Sequence, residues 1–350
     1  MPRSRVAVVS ATPETIAEDY ARLFRLAPDG RPDGHEDPPA VLVDLPWERF
    51  QPAVGVPPWQ LEAVLSVLEG HGGPRGPLEV TARADSASGL RRALTRHRLA
   101  PLLSRRSVTP GVLPGETRVH ESATRRPVLE AWQEGRIEVP RATFGHPLWI
   151  LSTLKSHTTL GVAAAVFAAA QEILDGEDWR DHPRYAAAAA EALAVSREIH
   201  PSHFAVVDAT VCGRGPGPYR VRPHVQNLLL ASDDPVALDA VGARLLGLDP
   251  STLPLLVECD RLGLGTLDPS AIEIVGEHPS LLDRSRAAVA GARFKPSWTV
   301  ARWTPLRRKI RRAARDLLWY PFAGRRWRSL WRKTPWGRLF HEYEARGGRG

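Results

Sequence analysis

From residue 40 onward the sequence alternates short, β-branched apolar runs with stretches in which apolar residues recur at helical spacing, and this alternation restricts the fold more than any other feature. Ala40 to Leu45, Leu78 to Ala82, Leu148 to Leu154, Phe204 to Asp208, Asn227 to Ala231 and Ala271 to Val275 read as strands. Between them, Pro58 to Glu69, Ser86 to His97, Leu160 to Leu174, Tyr185 to Glu198, Pro235 to Leu246 and Leu253 to Leu262 read as helices. Such an order favours an α/β fold, a mostly parallel sheet with covering helices. Leu102 to Val139, with scattered Pro, Gly and Arg, is irregular and reads as a lid or an edge. No internal repeat is evident.

The segments that flank this core differ from it. Arg5 to Ser10 reads as a strand, and Ile16, Tyr20, Leu23 and Phe24 recur at helical spacing behind Thr12 as cap and Pro13 in the first turn. Pro28 to Pro39, rich in Pro, Gly and Asp, reads as a linker. Three parts follow: residues 1–39, a strand, helix and linker; residues 40–292, the α/β core; and residues 293–350, a basic tail. A chain of 350 residues with 43% hydrophobic content can bury one principal core.

Charge sets the tail apart. Residues 293–350 hold 17 basic and 3 acidic residues, a net +14, whereas the preceding 292 hold 30 and 36, a net −6. Leu306, Ile310, Ala313 and Leu317 form a stripe behind Thr304-Pro305, and Arg307, Arg308, Lys309, Arg311, Arg312 and Arg315 fill the rest, which describes a basic amphipathic helix. Trp319, Trp327, Trp331, Trp336 and Phe340 then alternate with further basic residues. Three readings fit. The aromatics dock on the protein's own core and leave the arginines in water; or Arg308, Arg312, Trp319, Trp327 and Trp331 meet an anionic membrane at the headgroup boundary; nucleic acid ranks third.

Two cysteines, Cys212 and Cys259, are too few for a disulfide framework or an iron–sulfur cluster. The first ten residues lack the apolar run of a signal peptide, and Leu160 to Ala170 is shorter than the roughly 20 residues a membrane span needs. A cytoplasmic location is expected, with the tail adding the option of peripheral contact at the inner membrane face.

Several residues are placed for chemistry. Lys155 and His157 lie two apart at a strand end, so alternation would put both on one face, and strand carboxyl ends are where open α/β sheets bind ligands. Asp208 ends another strand shortly before Gly213-Arg214-Gly215-Pro216-Gly217-Pro218, a loop whose glycines free the backbone for close approach to a ligand while Arg214 and Arg220 clamp an anion. That loop has neither Walker nor dinucleotide spacing, and as a bare sequence reads more readily as a turn. Asp234-Pro235 suits a helix N-terminus. Asp239, inside that helix between Leu238 and Ala240, needs a partner if buried, either Lys155, an arginine or a site. His200 and His203 invite a metal reading, but a proline and the lack of a third ligand speak against it. Cys212 reads as a buried, inert thiol.

Four segments in order resemble the bacterial family known as domain of unknown function 362. They are Leu154-Lys155-Ser156-His157-Thr158; Val206-Val207-Asp208-Ala209 with Gly213 and Gly215-Pro216-Gly217; Leu229 through Val241, including Ser232-Asp233-Asp234-Pro235; and Gly263-Leu264-Gly265 leading to Ile272-Glu273-Ile274-Val275-Gly276. Members open their core with a strand ending in Lys-Pro-Asn, where this chain has Leu45-Pro46-Trp47, and some carry ferredoxin cysteines that it lacks. Residues so placed for chemistry make up one expected site, with Lys155, His157 and Asp208 as catalytic groups and Gly213, Arg214, Gly215, Gly217 and Asp239 as ligand contacts, taking an anionic small molecule; the resemblance strengthens the functional reading of Lys155 and His157. No cofactor is specified. The departures keep open a second class, a catalytically silent accessory protein recruited by its tail to a membrane or a partner.

Overall fold

In the computed structural model, residues 4–27, 38–70, 78–174, 184–276, 310 and 312–347 are described. The apolar runs assemble into one nine-stranded mixed sheet in the order β11-β1-β10-β9-β7-β2-β3-β4, with β8 paired to β7. These strands are β1 (Ser4–Ser10), β2 (Ala40–Val43), β3 (Val80–Arg83), β4 (Gly111–Leu113), β7 (Leu148–His157), β8 (Gly161–Ala163), β9 (His203–Arg214), β10 (Arg222–Ser232) and β11 (Ile272–Gly276). From β4 through β3, β2 and β7 to β9 every pairing is parallel. Only β10, which runs antiparallel to β9 and β1, and the short β8 break the pattern. The α/β class with a mostly parallel sheet is as expected.

Strand order explains where the helices go. The chain steps outward from β2 to β3 to β4, then returns to the opposite side of β2 with β7 and β9. Because parallel crossovers are right-handed, reversing the direction of travel moves the connecting helices to the other face. Accordingly α2 (Pro58–Gly70), α3 (Ala87–Arg96) and α4 (Ala100–Ser104) share one face with α1 (Ile16–Leu26), while α6 (Ala165–Ile173), α7 (Tyr185–Ile199), α8 (Pro235–Leu245) and α9 (Pro254–Arg261) cover the other. Alternation along β7 feeds both layers: Leu148 and Ile150 join the α6–α9 side, and Trp149 and Leu151 the α1–α4 side.

Three expectations change. β1 lies between β10 and β11 inside the sheet, so residues 4–26 are part of the core layer rather than an appendage. Its helix begins at Ile16, not behind Thr12, because the Thr15 hydroxyl and the Thr12 amide both donate to Asp19 and hold residues 12–15 in a turn. The irregular stretch before residue 140 contains β4, β5 (Thr117–His120), α5 (Pro127–Trp132) and β6 (Ile137–Pro140), the last two strands forming a separate two-stranded sheet. At three to six residues each, these elements are too short to show a period.

The tail is docked on the α1–α4 face. After Ile310 and Arg312 it forms a π-helical segment, Arg315–Gly324, containing Pro321, then α10 (Arg325–Arg332) and α11 (Pro335–Gly347). Trp331, expected at a membrane, is 4% exposed and packs against Phe50 and Phe340. Trp336, 1% exposed, lies against Trp59 and donates to the Asn227 side chain at 2.7 Å. Trp319 and Trp327 are half-buried, the first beside Trp47 and Val54, the second under the Arg222 guanidinium. Aromatic burial against an existing apolar face outweighs an interfacial position for these rings. Ile310 and Leu317, of the apolar stripe, are exposed, and Thr304, Pro305, Leu306 and Arg308 lie outside the described residues.

Trp336→Ala therefore removes a core side chain, and urea unfolding of the full chain is expected to show a loss of about 3–5 kcal/mol. A change below about 1 kcal/mol, the range of surface substitutions, would mean that the tail is not part of the cooperative core.

Candidate functional site

Open α/β sheets bind ligands beyond strand carboxyl ends where strand order reverses. Here that point falls between β2 and β7. Asp44, the residue after β2, and Lys155, near the end of β7, meet there: Lys155 Nζ donates to Asp44 Oδ2 at 2.6 Å and to the Thr153 carbonyl at 3.2 Å. Lys155 is fully buried and Asp44 is 6% exposed. The ammonium does not face solvent; Asp44 does reach a crevice beyond it.

That crevice is a cavity of about 280 Å³ at the ends of β2 and β3. Its walls come from α3 on one face and from Ala168 and Gln171 of α6 on the other, and it is closed on a third side by Arg312, Arg315 and Asp316 of the tail. Arg83, which ends β3, donates to the Gln171 carbonyl at 3.0 Å. Arg92 of α3 pairs with Glu48 at 2.8 Å. The Arg315 guanidinium pairs with Asp316 and sits 4.9 Å from the Trp47 ring and 4.6 Å from the Tyr219 ring, which fixes its plane. Asp85 and Ser86 complete the rim, where α3 starts with no acidic residue in its first turn.

Of the residues singled out from the sequence, Arg312 lines this cavity and Lys155 touches its lining residue Asp44, whereas Asp208, His157, Asp239 and the glycine loop do not line it. Asp208 lies on the α1–α4 face and accepts from Tyr20 Oη at 2.9 Å, Trp59 Nε1 at 2.7 Å and both the amide and hydroxyl of Thr210. Burial raises its pKa while these donors pull it down, and the four of them make it the anchor that joins α1 and α2 to β9. Asp239 lies on the opposite face. Its two oxygens accept from the amides of Ala165 at 2.8 Å and Val166 at 3.1 Å, so it caps α6 from within α8. Burial pushes its pKa up to about 7 against those two donors and the nearby Lys155.

His157 also has local work. Its Nδ1 accepts from the amides of Thr159 and Leu160, both at 3.1 Å, and its ring packs near Phe167 and Tyr185 on the α6–α9 face, away from Asp44. The β7–β9 register shifts between Thr153 and Lys155, ahead of both residues, where the β9 partner jumps from Asp208 to Gly213. The glycine loop is packed at Gly213 and Gly217, while Arg214, Gly215 and Pro216 are exposed. A Cβ on Gly217 would fall 1.7 Å from the Ser156 carbonyl oxygen, and the Ser156 and Thr158 hydroxyls donate to the Gly215 and Gly217 carbonyls. Gly213 is tight against Val221 and Lys155 Cβ; exposed Arg214 turns toward the Leu245 carbonyl. Glycine at 213 and 217 thus serves strand packing.

Asp234 caps α8 as expected, accepting from the amides of Val236 and Ala237. His200 pairs with Glu172 at 3.0 Å and His203 with the Ser196 hydroxyl at 3.0 Å, inside a buried network. Cys212 and Cys259 are both buried, which raises their thiol pKa values. Asp44 and Arg83 escaped notice although each carried a readable signal, a charged side chain closing an apolar strand. Arg315 carried none, since one arginine among many in a basic tail does not announce a cavity.

The family model for domain of unknown function DUF362 matches residues 40–244, more than half of the chain, and the protein belongs to that family. The match begins at β2 and ends in α8, so it includes Asp44, Arg83, Arg92 and Lys155 but not the tail. A thylakoid-associated protein of Synechocystis, sll1697, is 38% identical over 71 residues, covering 20% of this chain and 21% of that protein. The matched region thus spans about a fifth of that relative. No solved structure matches.

The cap made by Asp239 has a pH signature. Its folded pKa, near 7, lies above the unfolded value near 3.8, so the folded state binds more protons between those values and stability falls as pH rises through that window. Asp239→Asn removes the titration and leaves one α6 amide opposed by an NH₂ group, costing about 1–3 kcal/mol. Urea unfolding is expected to show a gap between wild type and variant that narrows from pH 4 to pH 7; a gap constant with pH would contradict the assignment.

Proposed function

We propose that this protein binds a small anionic molecule, one bearing a carboxylate or a phosphate, in the crevice at the ends of β2 and β3. The observation that carries the reading is the approach of Arg83 and Arg92 from the family domain and Arg312 and Arg315 from the tail to one cavity. Four carboxylates share the walls, but three of them already have partners: Asp44 with Lys155, Glu48 with Arg92, and Asp316 with Arg315. Counting Lys155, five cations face four carboxylates, and the start of α3 adds about half a positive charge. Guanidinium groups held by rings and carbonyls present planar forks suited to carboxylate or phosphate oxygens. Binding, rather than a particular reaction, is what these groups support, since Lys155 is turned into the sheet and Asp208 and Asp239 serve structural hydrogen bonds.

A second reading concerns location. Among the described residues no helix is long and apolar enough to cross a membrane. The charge of the tail and the exposed apolar side chains on its π-helical segment favour peripheral contact with an anionic membrane, and the thylakoid association in the name of the Synechocystis relative is in keeping with it.

The ligand proposal is tested by thermal unfolding with inorganic phosphate, pyrophosphate and citrate. A ligand at a hundred times its Kd stabilises by about 2.7 kcal/mol, so at least one of the three is expected to raise the Tm by several degrees. The Arg83→Gln, Arg92→Gln double variant is expected to lose that rise. No rise with any of the three, or one undiminished in the variant, would refute the anionic site.

A further inference from the structure

The tail segment that closes the crevice has two unlike sides. Arg315, Trp319, Tyr320 and Arg328 face the protein: Tyr320 donates to the Phe50 carbonyl at 3.2 Å, and Arg328 donates to Gln51 at 3.1 Å with its guanidinium 3.8 Å from the Tyr320 ring. Leu317, Leu318 and Phe322 face outward and are 67%, 63% and 72% exposed. Leu318, Phe322, Arg326 and Leu330 follow one another at four-residue steps, so a single outer stripe runs from apolar side chains into exposed arginine and back to leucine. Arg325, Arg326, Arg332 and Lys333 beside it are all exposed.

Single exposed apolar residues are ordinary, but three large ones on adjacent turns of one segment mark a contact surface. A protein partner and a lipid surface would both cover them. Charge decides between the two here: apolar side chains bordered by arginines, within residues 293–350 of net charge +14, suit a plane of anionic headgroups above an apolar layer. The inner side matters too, because its contacts hold the segment against the core and leave these side chains presented to solvent on a rigid support.

We infer that Leu317, Leu318 and Phe322 form a lipid-contacting face, inserting at the headgroup–acyl boundary of an anionic membrane while Arg325 and Arg326 engage the headgroups. This rests on the peripheral-membrane reading above and adds to it the residues, their depth and the lipid class. Because Arg312, Arg315 and Asp316 precede these side chains directly, docking places the crevice at the membrane surface.

The native thiols are buried, so a single introduced cysteine can be labelled selectively on the full chain. Leu318→Cys carrying a polarity-sensitive fluorophore is mixed with phosphatidylglycerol or phosphatidylcholine vesicles, alongside Val119→Cys, 52% exposed on β5, as control. Co-sedimentation of wild type and of a Leu317→Gln, Leu318→Gln, Phe322→Gln variant accompanies it, with thermal unfolding of both to confirm the fold. The expected result is a blue shift at residue 318 but not 119, with phosphatidylglycerol only, and vesicle affinity of the triple variant weakened roughly tenfold or more. Failure of wild type to bind phosphatidylglycerol vesicles would overturn the membrane reading itself. Binding by wild type with no shift at 318 and equal binding by the triple variant would keep that reading and overturn this surface. Equal binding to both lipids would overturn the anionic class.

Discussion

The ion pair between Asp44 and Lys155 is the contact around which this protein is arranged. It sits where the strand order turns back on itself, bridging β2, which opens the first half of the sheet, to β7, which opens the second. Two charges so deeply buried stay ionised only as partners, for each alone would bear a desolvation cost of several kcal/mol. The pair therefore holds the ends of two neighbouring parallel strands in one geometry. It also neutralises Asp44, a carboxylate that lines the crevice.

Around that junction, polar groups that look catalytic in isolation act as fasteners. Asp208 ties α1 and α2 to β9, Asp239 holds the start of α6 from within α8, and His157 closes the turn after β7. These three side chains thus help lock a wide sheet to helices on both faces. The residues proposed to hold a ligand lie elsewhere, at strand ends and on α3.

Most of the architecture was legible because its signals are local. The apolar run from Leu148 to Leu154, the helical spacing of Ile16 to Phe24, and Asp234-Pro235 before an apolar run each report on a few neighbouring residues. The site was less legible because its signals are distant in the chain. Nothing near Asp239 says that its partners are amides some seventy residues earlier, and nothing near Arg315 points to Trp47 and Tyr219. Lys155 was correctly placed at a strand end. Its neighbour His157 was paired with it by strict alternation, yet its ring nitrogen is taken up by the turn after β7. In the tail, spacing and charge revealed an amphipathic character, but Trp331 and Trp336 are the inward residues and Leu318 and Phe322 the outward ones.

The most direct test of the junction is a double-mutant cycle, with Asp44→Asn, Lys155→Met and the double variant unfolded in urea. Each single change is expected to cost about 3–5 kcal/mol, because it strands a buried charge or its polar remnant. The double variant is expected to cost clearly less than the sum of the two, with a coupling of at least about 1 kcal/mol. Additive losses would contradict a pair that depends on mutual neutralisation, and with it the role of this contact in fixing the strand ends.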